Sequence, residues 1–105
     1  MSHDYIAQQA ETFESFEAFA KDAPEVAVVT YQFYPEDVEP KWEAVQKALE
    51  ARGFRVTRDD EDELLDAEIG PLKISAAVIW QHEKIATEIA LKFDFTPDGW
   101  GLIEE

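Results

Sequence analysis

Carboxylates are the chemically useful groups that this sequence supplies most densely. Seven of the ten residues from 59 to 68 are acidic, and five of them are consecutive: Asp59, Asp60, Glu61, Asp62 and Glu63. Carboxylates accept paired hydrogen bonds from arginine, so this run is a candidate docking surface for a basic protein segment. A merely solvated loop is the plainer interpretation. A cation site is the weakest of the three interpretations, because the run lacks the central glycine of a calcium-binding loop.

Two histidines, His3 and His82, are the remaining candidates for acid–base or metal chemistry. His82 is followed by Glu83, but consecutive residues of a helix point in different directions. No second ligand lies at helical spacing from His82. We therefore interpret His82 as a surface or capping residue, and His3 as part of a frayed terminus.

Motifs of catalysis or cofactor binding are absent from the sequence. There is no cysteine, hence no thiol nucleophile and no zinc–thiolate site. There is also no nucleophile elbow and no glycine-rich phosphate loop, since Gly99-Trp100-Gly101 is too short to cradle a phosphate. The sequence predicts a protein without catalytic residues, metal or cofactor. Of the three tryptophans, we assign Trp42 and Trp80 to the core, whereas Trp100 fits either the core or a partner interface.

Composition indicates one globular domain with a strongly acidic surface. The chain has 105 residues, of which 46% are hydrophobic, and its 24 acidic and 9 basic residues give a net charge of -15. Such a charge repels nucleic acid and anionic membranes and favours a basic partner. The N-terminal residues do not resemble a signal peptide, and no apolar run approaches the roughly 20 residues that span a bilayer. We therefore expect a cytoplasmic protein.

Apolar periodicity and the proline and glycine positions predict three helices and four strands. In the best-patterned strand, Ala27, Val29, Tyr31 and Phe33 share one face. Residues 59–68 are predicted to be a solvated loop, and Thr96-Pro97-Asp98-Gly99 a turn. An alternative interpretation of residues 75–93 is a single long helix. The predicted helices are at about 4–21, 36–52 and 81–93, and the strands at about 25–34, 54–58, 72–80 and 100–103.

The element order after the first helix is β-α-β-β-α-β, which predicts a ferredoxin-like α+β sandwich. In that fold two helices cover one face of a four-stranded antiparallel sheet. The domain then comprises residues 1–105, with the core at about 25–103. The extra N-terminal helix is expected at an edge of the sheet or on its open face, and Trp100 against the second or third helix.

The segment around the last predicted turn resembles the family of regulator of ribonuclease activity B, the RraB inhibitors of ribonuclease E. Leu91-Lys92-Phe93 is followed after a short spacer by Asp98-Gly99-Trp100-Gly101, a run that resembles the family's motif. Residues 30–56 are also similar, ending in Ala51-Arg52-Gly53-Phe54-Arg55-Val56. The resemblance implies a ferredoxin-like fold and a non-catalytic protein. It also implies binding to the Arg-rich C-terminal region of ribonuclease E, with altered RNA processing.

Two classes of function therefore stay open at the level of the sequence. The leading one is an acidic protein that binds and modulates an RNA-processing enzyme. The alternative is a ferredoxin-like sensor domain that binds a small molecule, which requires a polar concave site that the sequence does not identify. Salt dependence separates them, because charge-driven binding weakens with ionic strength and binding in an apolar pocket does not.

Overall fold

The computed structural model describes residues 3–59 and 61–104. The helices are α1 (Tyr5–Phe19), α2 (Trp42–Glu50) and α3 (Ala76–Lys92), and a single 3-10 turn, Ala20–Asp22, follows α1. The strands are β1 (Val26–Pro35), β2 (Arg55–Asp59), β3 (Leu64–Lys73) and β4 (Phe95–Ile103). Within these residues, no helix has the length and apolar character to cross a membrane.

The four strands form one antiparallel sheet in the order β2-β3-β1-β4. Each of the helices α2 and α3 connects two strands that are not neighbours in the sheet, which is the split arrangement of the ferredoxin-like sandwich. The predicted fold class is thus confirmed. The long central strands β1 and β3 are flanked by the edge strands β2 and β4.

The core lies between one face of this sheet and the helices α2 and α3. The predicted buried face of β1 is confirmed, because Val29, Tyr31 and Phe33 are each at most 1% exposed. The Tyr31 hydroxyl donates a 2.6 Å hydrogen bond to the carbonyl oxygen of Ile79 and so joins β1 to α3. Burial raises the pKa of Tyr31, which keeps this donor protonated.

The third strand and the third helix differ from the predicted ones. Residues 72–80 were predicted as a strand, but β3 ends at Lys73 and α3 begins at Ala76. Ser75 caps the helix, since its side chain accepts a hydrogen bond from the backbone N–H of Val78. Residues 76–92 are therefore one long helix, as in the alternative interpretation.

The acidic segment 59–68 is not the continuous loop that was predicted. Its second half belongs to β3, where Leu65 and Ala67 are fully buried against the helices. Asp66 and Glu68 alternate with them and lie on the opposite face of the sheet. In its first half, Asp59 ends β2 and the described residues 61–63 precede β3.

The predicted turn at residues 96–99 is instead part of β4, which starts at Phe95. The pairing with β1 passes from Gln32 opposite Gly99 to Phe33 opposite Pro97, which leaves Asp98 as an extra residue. The proline and the glycine therefore mark a β-bulge, where an unpaired residue and an unusual backbone are tolerated.

The helix α2 begins later than predicted, at Trp42 rather than at residue 36. A helix that started at Glu36 would bring the ring of Pro40 against the carbonyl group of Glu36. The helix starts after this proline instead. After the helix, Gly53 adopts a φ of 93°, the left-handed backbone for which glycine is favoured at helix ends.

The helix α1 packs against α3, close to β4. Of the two positions expected for it, the edge is therefore the one that it occupies. Its buried residues are the polar Gln8 and Thr12, whereas the helically spaced Phe13, Phe16 and Ala20 are only partly buried or exposed. The contact between α1 and α3 thus has a polar centre.

Candidate functional site

The acidic turn between β2 and β3, here Asp59 and Glu61–Glu63, is held by one of its own carboxylates. Asp59 Oδ1 accepts hydrogen bonds from the backbone N–H groups of Glu61 at 3.0 Å and Asp62 at 3.2 Å. Glu63 then adopts a left-handed φ of 53° as the chain enters β3. The side chains of Glu61, Asp62 and Glu63 are exposed. Asp60, the remaining residue of the predicted acidic run, lies outside the described residues.

This geometry makes the acidic turn an ordered hairpin end that presents carboxylates to solvent. Carboxylates held close together repel one another and attract cations, and paired bonds to arginine are the strongest that they accept. The face of the sheet opposite the helices carries two further carboxylates, those of Asp66 and Glu68 on β3. In the part of the chain that is described, no group of three His, Asp or Glu side chains is placed to hold a metal ion.

A buried polar cluster, here called the α1–α3 cluster, consists of Gln8, Thr12, Glu83 and Thr87. Glu83 is only 6% exposed, and its carboxylate accepts hydrogen bonds from the Thr12 hydroxyl and from Gln8 Nε2, the latter at 3.1 Å. Gln8 Nε2 also donates to Thr87 Oγ1 at 3.0 Å. Burial raises the pKa of Glu83, although the bonds from Thr12 and Gln8 partly offset this by lowering it.

A buried carboxyl with a raised pKa is a common feature of catalytic acids and bases. Here both carboxylate oxygens of Glu83 accept hydrogen bonds from side chains of α1, so Glu83 holds α3 and α1 together. This cluster was not predicted from the sequence. The available signal was a glutamate on an apolar helical face, because Glu83 follows the buried Ile79 by four residues and precedes the buried Thr87 by four.

The histidines are not partners of Glu83 in an acid–base pair. His82 Nδ1 lies 2.9 Å from the carbonyl oxygen of Val78, one turn back along the same helix. Glu83 points to α1 instead, in the different direction expected of consecutive helical residues. His3 Nε2 lies 2.7 Å from Gln8 Oε1, so this histidine contacts the edge of the α1–α3 cluster.

The motif Asp98-Gly99-Trp100-Gly101 lies in the middle of β4, beginning at the bulge residue Asp98. Trp100 is directly opposite Tyr31 of β1, so its side chain is on the helix-covered face of the sheet. Its ring is 6.0 Å from the ring of Phe19, at the end of α1. The ring contact is therefore made with the first helix, whereas the sequence suggested the second or third.

All four motif residues also line a groove that separates α1 from β4, here called the α1–β4 groove. The groove has a volume of about 1130 Å³. Glu83 reaches it from α3, and Glu11 and Thr12 line it from α1. The motif and the α1–α3 cluster thus border the same concave surface, which the sequence alone did not reveal.

The sequence profile of one protein family, described as regulator of ribonuclease activity B (RraB), matches residues 6–102. The chain belongs to the RraB family. This confirms the resemblance noted in the sequence. The matched residues extend from α1 into the last residues of β4, so they include the acidic turn, the α1–α3 cluster and the motif. Among curated proteins, no significant match to the chain is found.

Membership in the RraB family implies that the chain regulates ribonuclease activity, and so that it acts on a protein partner. The family description concerns regulation and not catalysis. The surfaces available for such a partner include the acidic turn at the β2 side of the sheet and the α1–β4 groove at the other side.

Proposed function

We propose that this RraB-family protein is a non-catalytic regulator that binds a basic segment of an RNA-processing ribonuclease through its acidic turn. The observation that supports the proposal best is the arrangement of Asp59 and Glu61–Glu63 at an exposed hairpin end. The resemblance to inhibitors of ribonuclease E suggests the Arg-rich C-terminal region of that enzyme as the partner.

The charge of the chain supports a basic protein partner over nucleic acid. A net charge of -15 opposes the approach of RNA and attracts an Arg-rich segment over a distance of about one Debye length, ~8–10 Å at physiological salt. An Arg-rich segment of a ribonuclease binds RNA through the same guanidinium groups that carboxylates pair with. Occupation of these groups by the acidic turn would exclude RNA from them.

The order of the acidic turn supports a role in recognition as well as in attraction. Because Asp59 fixes the backbone of Glu61 and Asp62, fewer conformations are lost when a partner binds. Single exposed ion pairs contribute only about 0.2–1 kcal/mol, so several carboxylates must act together. The non-catalytic part of the proposal is supported by Glu83, whose buried carboxyl is committed to hydrogen bonds within the chain.

The test replaces the run 59–63 with the corresponding amides, asparagine for aspartate and glutamine for glutamate. The asparagine that replaces Asp59 retains an oxygen in the position that accepts from the backbone, so the turn should persist. Binding to the Arg-rich C-terminal fragment of ribonuclease E is measured by stopped flow at two salt concentrations. We expect association to slow about tenfold or more at low salt and its salt dependence to flatten, with little change in melting temperature.

A matched control neutralises five exposed acids elsewhere, on α1, α2 and the segment before β1: Glu14, Glu17, Asp22, Glu25 and Glu43. Both variants lose the same formal charge. If the acidic turn is the contact surface, the control keeps most of the association rate. Equal slowing of the two variants would show that net charge alone matters, and normal kinetics in the turn variant would refute the proposed surface.

A further inference from the structure

Within residues 3–59 and 61–104, the edge of β4 away from β1 pairs with no strand, and this edge borders the α1–β4 groove. In the order β2-β3-β1-β4, the strand β4 is last and pairs with β1 along one side. The groove is lined by Trp100, from the helix-covered face, and also by Gly99 and Gly101, which the pairing register places on the opposite face. Since residues of both faces contribute, it is the edge of the strand that faces the groove. Backbone groups at such an edge can pair with another strand.

The dimensions of the groove fit an extended peptide. Residues 97–102 of β4 line it without interruption, which at about 3.3 Å per residue gives roughly 20 Å of strand edge. The opposite wall is α1, whose groove-lining residues recur along one helical face from Asp4 to Phe19. Small side chains leave space along both walls, namely Ala7 and Ala18 on α1 and the two glycines on β4.

The charged side chains that line the groove are mainly acidic. Among the described residues, four exposed carboxylates contribute to the lining and no lysine or arginine does: Asp4, Glu11, Asp98 and Glu104. The rings of Phe19 and Trp100 provide apolar surface and faces on which a guanidinium group can stack. An occupant with positive charges and some apolar side chains is complementary to this lining.

We propose that the α1–β4 groove binds an extended basic segment of a partner protein, which pairs with β4 as a fifth strand. The inference rests on the proposed function in that the partner is a basic protein, but it assigns a second surface, since β2 and the acidic turn lie at the opposite side of the sheet. A second copy of this chain fits less well, because two molecules of net charge -15 repel each other. Strand pairing provides backbone hydrogen bonds that hold the segment, while the acidic lining selects its charge.

The direct test uses three fluorescent eight-residue peptides and the full chain. The first alternates arginine and valine, the second alternates glutamate and valine, and the third alternates arginine and proline. The third keeps the positive charge, but each proline fixes φ near -65°, far from the value of about -140° in antiparallel strands, so it pairs poorly as a strand. We expect fluorescence anisotropy to show binding of the Arg–Val peptide, about tenfold weaker binding of the Arg–Pro peptide, and none of the Glu–Val peptide.

Hydrogen exchange followed by NMR locates the bound peptide. We expect the Arg–Val peptide to slow the exchange of backbone amides between residues 98 and 102, both in the wild type and in the variant with a neutral acidic turn. Equal affinity for the Arg–Val and Arg–Pro peptides, together with unchanged exchange in β4, would overturn strand pairing. A dimer of this chain that protects the amides of residues 98–102 in the absence of peptide would assign the β4 edge to self-association and overturn the proposal as well.

A pair of substitutions on α1 tests the place of binding. Ala18→Trp fills the groove, whereas Ala10→Trp introduces the same side chain at an exposed position of the same helix that does not line it. We expect Ala18→Trp to weaken binding of the Arg–Val peptide about tenfold and Ala10→Trp to leave it unchanged. Equal affinity in the two variants would exclude the groove.

The same variants separate this inference from the proposed function. If the ribonuclease fragment binds the wild type and the Ala18→Trp variant equally, the groove assignment fails while the function stands. If the fragment does not bind the wild type at all, the proposed partner is wrong, and the peptide experiment still decides the groove. The variant with a neutral acidic turn should retain binding of the Arg–Val peptide.

Discussion

Glu83 of α3 and Thr12 of α1 share a buried hydrogen bond, in which the Thr12 hydroxyl donates to Glu83 Oε1. The second carboxylate oxygen accepts from Gln8, one turn earlier on α1. Apolar side chains alone would let α1 slide or rotate on α3, whereas these directed bonds fix its position. Because α1 forms one wall of the α1–β4 groove, the α1–α3 cluster also fixes the shape of the proposed binding surface.

Replacement of Glu83 by glutamine should make the free energy of unfolding less sensitive to rising pH. The folded-state pKa of Glu83 is raised above its ordinary value of 4.5, so the folded chain holds this proton more tightly than the unfolded chain. Stability that depends on the protonated carboxyl is therefore present at low pH and is lost as the pH rises through the folded-state pKa. The glutamine side chain has no proton to lose in this range.

The measurement is urea unfolding of the wild type and Glu83→Gln at a series of pH values from 4 upwards. We expect the stability of the variant relative to the wild type to increase with pH and then to level off. Glu88→Gln, at an exposed position of α3, removes the same formal charge and serves as the control. A difference between wild type and Glu83→Gln that does not change with pH would contradict the assignment.

Replacement of Thr12 by valine should destabilise the protein by about 1–3 kcal/mol at neutral pH, because the buried Glu83 oxygen loses its hydroxyl donor. The same change should raise the pKa of Glu83 further, since the bond from Thr12 is one of the factors that lower it. Thr12→Ser keeps the hydroxyl and should lose much less stability. If serine and valine at this position give equal urea midpoints, the hydrogen bond contributes nothing.

Two glycines of the motif provide a matched pair for testing the backbone of β4. An added Cβ meets no atom within 4 Å at Gly99 or at Gly101, but only Gly99 has a φ in the left-handed region, 141°. Gly99→Ala should therefore cost about 1–3 kcal/mol through backbone strain. Gly101→Ala should be close to neutral, since alanine restricts the unfolded chain more than glycine does. Equal melting temperatures of the two variants would contradict the strain at Gly99.

The difference between β1 and β3 shows what the sequence could predict of the fold. In β1, the apolar residues alternate with uncharged Thr30 and Gln32, and the strand was located within one residue at each end. In β3, Leu65 and Ala67 alternate with Asp66 and Glu68, and the dense charge hid the same period of two. The charge is compatible with a strand because the face that carries it is not covered by a helix.

The candidate site was predictable only where it is local in sequence. The acidic turn could be predicted as a group, because its residues are consecutive and its geometry depends on Asp59. The α1–α3 cluster joins Gln8 and Thr12 to residues more than 70 positions later, so its members become related only when α1 docks. The α1–β4 groove depends on the same docking, and no single segment contains a signal for it.

The contact between Phe19 and Trp100 should stabilise the far end of α1 independently of the α1–α3 cluster. The two rings lie 6.0 Å apart at an angle of 46°, within the range at which aromatic pairs attract each other beyond their simple burial. A double-mutant cycle with Phe19→Leu and Trp100→Leu isolates the pair, because leucine retains apolar volume at both positions. We expect a coupling of about 0.5–1.5 kcal/mol in urea unfolding.

The control cycle combines Phe19→Leu with Trp42→Leu and should give no coupling. The ring contact of Trp42 is with Phe95, in another part of the core. A vanishing coupling between positions 19 and 100 would contradict a stabilising contact at this end of α1, and the end of the groove beside Trp100 would then be free to widen.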